Sequence, residues 1–390
     1  MTLWIEDACL VGHPRRAPFR GHVGVADGHI SSVGDGPRAS VSAGDERVDA
    51  AGRVLMPGFV DAHTHALFAG DRLDEWELKR QGKSYLEILA AGGGILSTVR
   101  AVRAASASEL EAALAERLAR MLREGTTSVE IKSGYGLSTR DELKMLRVIA
   151  AAARDFPGTV VPTALLGHAL DPAEPDFVRR VIEETLPAVH SEFPGIAVDA
   201  FCEQGAWSPS DCRRLLERAR ELGHPLRLHT DQFHALGGLE LALELGATSV
   251  DHLEATSPAG LAAVAASATY GVMLPVSGFH TDQRYAAGRA FLDLGGKLVL
   301  ASNYNPGSSP SSSMPLVIAL GVRALGLSVL EALEATTRTP AMLLGLSDRG
   351  RLAPGARADL LLSSHRDPRL LAYELGGNPV QRVWVAGQEI

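Results

Sequence analysis

Residues 56–65 read MPGFVDAHTH, an apolar run that ends in two histidines separated by one residue. Side chains at alternate positions of a β-strand point to the same side, so His63 and His65 would face one side together. Two imidazoles placed in this way can bind one metal ion. The stretch therefore predicts a strand with a pair of metal ligands at its carboxyl end.

The residues that follow repeat one pattern, in which short β-branched runs alternate with amphipathic helical segments, as is typical of parallel βα units. Eight runs are predicted as strands, at residues 54–65, 126–133, 159–168, 196–203, 225–232, 247–254, 270–277 and 297–305. Helices are predicted between them, among others at 106–124, 140–156, 208–222 and 283–294. Eight parallel strands favour a closed (β/α)8 barrel of the TIM type over an open sheet, which usually has fewer strands. Both chain ends, by contrast, read as short strands separated by turns.

Composition and charge exclude several kinds of protein. The chain has 390 residues, 46% hydrophobic and 22% charged, with a net charge of −8, so it is a folded globular protein without the basic surface that nucleic acid requires. No stretch resembles a signal peptide or a membrane span, and the three cysteines are not closely paired, which favours a cytoplasmic protein. No GxGxxG motif follows the first strand, so a dinucleotide cofactor is not expected. A homodimer is expected only because dimers are the commonest oligomers.

Polar residues stand at the end of every predicted strand. The carboxyl ends of the strands of a closed barrel form one rim, where the active site lies. The rim residues are His63, His65, Lys132, Ser133, Tyr135, His168, Glu203, His229, Gln232, His252, Glu254, Ser277, Asn303 and Asn305. His229 completes a three-histidine set with an open position, as catalytic zinc prefers. His252 and His168 are expected to hydrogen-bond a substrate or metal-bound water.

The chain resembles the amidohydrolase superfamily, whose members are metal-dependent hydrolases. The resemblance lies in the histidine pair, the isolated His229 and the sequence DHLE at 251–254. The resemblance implies a (β/α)8 barrel at residues 56–351 and a small composite β-sandwich made from residues 1–55 and 352–390. Four further motifs are similar to the imidazolonepropionase family: FAGDR at 68–72, GGGI at 92–95, EIKSGYG at 130–136 and NPGS at 305–308. The combination is far more specific than the histidine pair alone.

This family resemblance implies a reaction and a site. The reaction is the hydrolytic opening of 4-imidazolone-5-propanoate, a small molecule, to N-formimidoyl-L-glutamate in histidine degradation. The cofactor is one divalent or ferric metal ion, zinc or iron, held at His63, His65, His229 and position 303. Substrate contacts are implied at Arg72, Tyr135, His168, Gln232, Asn305, Gly307 and Ser308, and Gln232 and His252 lie beside the reacting ring. Some relatives bridge two metal ions with a carboxylated lysine, but for Lys132 a single-metal site is favoured.

Elementary chemistry agrees with a substrate that carries a carboxylate. Arg72 can offer a planar, bidentate fork to a propionate group. The alternative role of Arg72 is a surface salt bridge with Asp71 or Asp74. The turn at 305–308 offers backbone N–H groups, which are a second place for a carboxylate or carbonyl oxygen.

Two positions depart from the family pattern, and they bear on the predicted catalytic residues Gln232, His252 and Asn303. Asn303 stands where the family has an aspartate, and a neutral amide cannot act as a base at neutral pH. Gln232 stands where part of the family has a glutamate that handles protons. Three explanations stay open: His252 accepts the proton, Asn303 is a substitution that slows turnover and traps ligand, or the chain is a binding protein. The alternative activity is that of a different amidohydrolase, either a deaminase or another cyclic-amide hydrolase.

Overall fold

The structure, a computed structural model, describes residues 2–36, 44–83 and 93–390, and its strands form two eight-stranded sheets. The strands are β1 Leu3–Leu10, β2 Phe19–Ala26, β3 His29–Asp35, β4 Glu46–Asp49, β5 Val54–Pro57, β6 Phe59–Asp61, β7 Thr126–Lys132, β8 Thr159–Gly167, β9 Ala197–Cys202, β10 Arg227–Thr230, β11 Ser249–His252, β12 Tyr270–Met273, β13 Leu298–Leu300, β14 Leu360–Ser363, β15 Val380–Val385 and β16 Gln388–Glu389. Strands β6 to β13 form the barrel, and the remaining strands form a separate sheet from both chain ends. The predicted fold class is confirmed. Gly92, part of the GGGI motif, lies outside the described residues.

The barrel strands pair in parallel in chain order, and the barrel closes just beyond the ends of its first and last strands. The Asn303 N–H donates to the carbonyl oxygen of His63 at 3.0 Å, and the His65 N–H donates to that of Tyr304 at 3.0 Å. Strands β10 and β11 are buried along their whole length, as expected for a parallel sheet covered by helices. The closing hydrogen bonds bring His63, His65 and Asn303 to one seam of the rim.

Helices follow the barrel strands, and the last one lies between β14 and β15 of the terminal sheet. They span Leu73–Arg80, Ile95–Ala104, Ala107–Arg123, Thr139–Asp155, Phe177–Arg180, Leu186–Glu192, Pro209–Glu221, Gly238–Leu245, Pro258–Ala265, Pro275–His280, Gly288–Asp293, Met314–Ala324, Val329–Glu334, Arg338–Leu343 and Leu370–Tyr373, with a π-helical turn at Val181–Thr185. The helix predicted at 283–294 begins later, because Gln283 has a φ of 61°, which no right-handed helix accommodates. No helix within the described ranges is both long and apolar enough to cross a membrane.

The first predicted strand, at 54–65, is wrong in one respect, because it is two strands. Strand β5 belongs to the terminal sheet, where Met56 pairs with Leu361 of β14, and β6 belongs to the barrel. Gly58 separates them, and a Cβ there would lie 2.3 Å from Thr127 Oγ1, so the chain can pass this point only as glycine. The terminal sheet therefore continues to Pro57, beyond the boundary predicted at residue 55.

The seventh predicted strand, at 270–277, is also too long. Strand β12 ends at Met273, and Pro275–His280 form a short helix. Proline is favoured in the first turn of a helix because its missing N–H would have no partner there. Ser277 is therefore buried inside this helix and does not stand at a strand end.

Candidate metal centre and active site

Three histidine side chains meet at the carboxyl ends of β6 and β10. His63 and His65 follow β6, His229 lies in β10, and all three are buried. The Nε2 atoms of His65 and His229 lie 3.5 Å apart, and the ring centres of His63 and His229 lie 4.5 Å apart. Nitrogens that bind one tetrahedral zinc ion at about 2.0–2.1 Å lie roughly 3.4 Å from each other. The three residues predicted from the sequence therefore form a group that could hold a metal ion.

Two aspartates fix the orientation of the histidine rings. The His63 Nδ1–H donates to Asp251 Oδ2 at 2.5 Å, and the His229 Nδ1–H donates to Asp199 Oδ1 at 3.1 Å. Each Nε2 is then left with the lone pair that a metal ion requires. Burial lowers the pKa of His63 and of His229, which keeps both rings neutral and able to act as ligands.

Asn303 follows β13, and its backbone adjoins His63 through the hydrogen bond that closes the barrel. Among the residues that the structure describes, its buried side-chain Oδ1 has no hydrogen-bond partner, and the same holds for His63 Nε2 and His65 Nδ1. A buried polar atom without a partner costs about 1–3 kcal/mol, so three of them on neighbouring residues of the rim indicate a site for a polar ligand or a cation. The donors present, imidazole nitrogen and an amide oxygen, fit a bound zinc or iron ion.

His252 lies at the end of β11, with its ring centre 5.7 Å from that of His229. Its Nδ1 lies 3.3 Å from Glu254 Oε1, and because a carboxylate only accepts, this contact leaves the His252 Nε2 free to accept a proton. The backbone of His252 has a φ of 94°, and those of Asp231 and Asn303 have 56° and 54°. Left-handed backbone at non-glycine residues is strained and is typical of functional sites. Three strand ends around the histidines share this property.

His168 and Tyr135 lie on the other side of His65. The rings of His168 and His65 are stacked, 4.9 Å apart with an interplanar angle of 19°. The His168 Nδ1–H donates to the carbonyl oxygen of Gly134 at 3.0 Å, and burial lowers the pKa of His168 to about 3, so its Nε2 is a neutral acceptor. The Tyr135 ring lies 5.1 Å from that of His168, and burial raises the pKa of its phenol. Both predicted substrate-binding residues therefore adjoin the histidine group.

Arg72 forms an ion pair with Glu75, which differs from the partners predicted from the sequence. The Arg72 Nε–H donates to Glu75 Oε2 at 2.5 Å, and both side chains are largely buried. The alternative role proposed for Arg72 named Asp71 or Asp74, but the partner is Glu75, one turn further along the helix that begins at Leu73. Spacing of three residues on a helix could have indicated this pair. Nη2 also contacts Glu75 Oε2, while Nη1 lies 3.5 Å from Thr98 Oγ1 and faces Gly307, where a Cβ would be 3.0 Å away.

The side chain of Asn305 hydrogen-bonds the backbone of the turn at 305–308. The Gly307 and Ser308 N–H groups both donate to Asn305 Oδ1 at 2.8 Å, and the Asn305 Nδ2 donates to Ser308 Oγ at 2.9 Å. The expectation that these N–H groups are free for a substrate oxygen is therefore wrong for this structure. What the turn does bring to the site is Gly307, which packs against Arg72.

A buried ion-pair network next to the histidines was not predicted. Lys132 Nζ lies 2.8 Å from Glu130 Oε1 and 2.9 Å from Asp199 Oδ2. Arg227 pairs with Glu130 and with Asp251 Oδ2, at 3.1 Å in each case. Charged residues inside otherwise apolar strands are the signal that could have revealed this network, since buried charges are almost always paired.

Gln232 lies in the loop after β10, which is fixed by Glu203 from the end of β9. The Phe233 N–H and the His234 N–H donate to Glu203 Oε2, at 2.8 and 3.2 Å, and His234 Nδ1 lies 2.7 Å from Glu203 Oε1. Glu203 was expected on the rim without a stated role. Its contacts show that it positions the loop that carries Gln232.

The barrel with inward-facing histidines is a fold shared by many hydrolases, and the model of the amidohydrolase family matches residues 54–390. The chain therefore belongs to the amidohydrolase family. Solved structures with the same fold include a 5-methylcytosine deaminase from Klebsiella pneumoniae (TM-score 0.76, 18% identity, covering 100% of this chain and 98% of that chain). An adenosine deaminase from Xanthomonas campestris with bound zinc has a TM-score of 0.73 at 20% identity, covering 99% of this chain and 92% of that one.

Curated relatives are much closer in sequence and narrow the family. A protein named imidazolonepropionase from Herpetosiphon aurantiacus is 46% identical over 382 residues, which are 94% of this chain and 89% of the relative. Proteins of the same name are 45% identical in Deinococcus radiodurans (91% of this chain, 88% of the relative) and 44% identical in Symbiobacterium thermophilum (99% and 95%). Within the amidohydrolases the chain is a member of the imidazolonepropionase family, as its motifs predicted.

Proposed function

We propose that this chain hydrolyses the ring amide of 4-imidazolone-5-propanoate to give N-formimidoyl-L-glutamate, a step of histidine degradation. The proposal rests above all on the three buried histidines, two of which have Nδ1 held by an aspartate and Nε2 left for a metal ion. The identity to relatives named imidazolonepropionase supports the choice of substrate. The cytoplasmic location and the homodimer remain predictions.

The cofactor in this proposal is a single zinc or iron ion. His63, His65 and His229 would hold it, with the Asn303 Oδ1 as a weak fourth ligand. When bound, such an ion polarises a carbonyl group and lowers the pKa of water to about 7. Metal content measured by mass spectrometry would identify the ion.

The substrate is held by residues on both sides of the histidine group. Arg72, kept in place by Glu75, would bind the propionate group, and the neutral His168 would accept a hydrogen bond at Nε2 from a ring N–H. Tyr135 adjoins His168 and would cover the ring. The buried surroundings exclude water from these contacts and strengthen them.

Proton transfer is assigned to His252. In the hydrolysis, a water oxygen adds to the ring carbonyl carbon, the carbon–nitrogen bond breaks and the leaving nitrogen takes up a proton. Neither Asn303 nor Gln232 can take the proton from water, because both are neutral amides. His252 has a free Nε2 and a carboxylate partner at Nδ1, so it can take that proton and return it to the leaving nitrogen.

The decisive experiment compares hydrolysis of 4-imidazolone-5-propanoate by the metal-loaded chain and by its Asn303→Asp variant. A general base contributes about 10²–10⁴-fold to rate. If only the Asp variant is fast, the substrate is right and residue 303 is the missing base. Equal and fast rates would show that His252 or another group, and not residue 303, moves the proton, and no reaction in either would count against hydrolysis of this substrate.

The neutral amide at position 303 also favours a second function, binding without turnover. Such a protein would bind imidazolone propionate or N-formimidoyl-L-glutamate in calorimetry and show no hydrolysis after metal loading. A different amidohydrolase activity, such as deamination, would have little use for the carboxylate clamp. An Arg72→Ala variant with an unchanged KM would favour that alternative.

A further inference from the structure

The side chain of Lys132 lies in an unusual place for a lysine. It is completely buried, and its Nζ lies 2.8 Å from Glu130 Oε1, 2.9 Å from Asp199 Oδ2 and 3.9 Å from Asp251 Oδ2. A lysine is almost never fully buried without such partners. The ammonium group is therefore surrounded by three carboxylates, two of which also orient the histidines of the metal group.

Two of the three carboxylates around Lys132, those of Asp199 and Asp251, belong to a second group that could hold a metal ion. The ligand atoms of Asp199, His229 and Asp251 all lie within 4.8 Å of one another, and a second ion there would replace the proton that His229 Nδ1 donates to Asp199. Lys132 contacts both aspartates of this second group. Its positive charge thus stands where the carboxylates would otherwise attract a divalent cation.

The balance of charge supports this interpretation. Glu130, Asp199 and Asp251 carry three negative charges, and Lys132 and Arg227 carry two positive charges, which leaves one net negative charge in the buried network. Removal of the Lys132 charge would leave two net negative charges in the network. Uncompensated buried charge is strongly unfavourable, so a divalent cation that entered would be bound well.

We propose that the Lys132 ammonium takes the place of a second metal ion beside the three histidines and thereby limits this site to one ion. Lys132 is a positioning residue in this role, since it also holds Asp199 against His229. The inference rests on the proposed metal group, and it concerns the number of ions bound and not the identity of the substrate.

The test is the number of zinc ions per chain, counted by native mass spectrometry after incubation with excess zinc. The unaltered chain is expected to bind one ion and Lys132→Met two. Lys297→Met is the matched control and is expected to bind one, because the Lys297 Nζ donates to the carbonyl oxygen of Ala268 and lies over the Tyr270 ring, away from the carboxylate network. Thermal stability should rise with zinc over a wider concentration range in Lys132→Met than in the control.

If Lys132→Met does not fold, the proposal can be tested with a second variant that keeps the net charge of the network. Lys132→Met combined with Glu130→Gln retains one net negative charge, and its amide and carboxylate oxygens still offer ligands, so it is also expected to bind two ions. One ion in every folded variant, or two in the unaltered chain, would overturn the inference while leaving the proposed reaction intact. No zinc in the unaltered chain would overturn both the inference and the proposed zinc or iron centre.

Discussion

Gly307→Ala is the sharpest test of how the substrate carboxylate is held. The added methyl group would lie 3.0 Å from Arg72 Nη1, whereas ordinary contacts are about 3.5–4.0 Å. Glu75 holds the Nε side of the same guanidinium at 2.5 Å, so Arg72 cannot move freely to relieve the contact. We expect the guanidinium to shift by roughly half an ångström away from Gly307 and so out of its place for the substrate carboxylate.

This shift sets the size of the effect. A hydrogen bond to a charged group contributes about 1.5–3 kcal/mol, and losing part of it would cost about 1–2 kcal/mol. At 1.4 kcal/mol per factor of ten, KM should rise about 5- to 30-fold. Because the carboxylate is bound equally in the ground state and the transition state, kcat should change less than about twofold.

Steady-state hydrolysis of 4-imidazolone-5-propanoate measures both constants, and calorimetric binding of N-formimidoyl-L-glutamate replaces it if turnover is slow. The control is Gly377→Ala, since a Cβ at Gly377 meets no atom within 4 Å. A KM within twofold of the unaltered chain, with Tm unchanged, would show that Arg72 does not bind the substrate. A loss confined to kcat would also contradict the reasoning.

Three further outcomes are expected. Asp251→Asn removes the ionised acceptor of His63, so zinc affinity in a chelator competition should fall about 10- to 100-fold, and an unchanged affinity would show that the ring needs no such support. Burial raises the pKa of Asp61 from 3.8 to about 7, so between these values the folded protein binds more protons than the unfolded one, and its free energy of unfolding falls as pH rises. In metal-free protein, the Tm of Asp61→Asn should therefore fall less between pH 5 and pH 8 than the Tm of the unaltered chain. Parallel curves of Tm against pH would refute the shift in the pKa of Asp61. Gly134→Ala should lower Tm, because Gly134 has a φ of 109° and a Cβ there would lie 2.9 Å from the carbonyl oxygen of Leu165. A variant with the Tm of the unaltered chain would mean that the loop adapts.

The order and number of barrel strands could be predicted because each repeats the same alternation of β-branched and helical segments. The ends of the strands could not be predicted, because an apolar run does not show where the chain stops hydrogen-bonding to one strand and begins to pair with another. Residues 54–65 illustrate this point: only the close approach of Thr127 to Gly58, a contact across the fold, separates β5 from β6.

The histidines of the site could be predicted because the carboxyl ends of parallel strands meet at one rim, so position along the chain was enough for His63, His65 and His229. The ion-pair partners of Glu75 and Lys132 could not be predicted from position along the chain alone. What a charged side chain pairs with depends on neighbours far away in sequence, as the contact of Lys132 with Asp199 shows. Such pairs are evident only when the strands are in place.

The pairing of Met56 with Leu361 has a consequence for synthesis of the chain. Strand β5 leaves the ribosome early, but its antiparallel partner β14 follows roughly 300 residues later, which takes about 15–60 s at 5–20 residues per second. During this interval one edge of the N-terminal strands has no partner and can pair with another nascent chain. Aggregation during expression should therefore depend on translation speed and be reduced by chaperones that cover exposed strand edges.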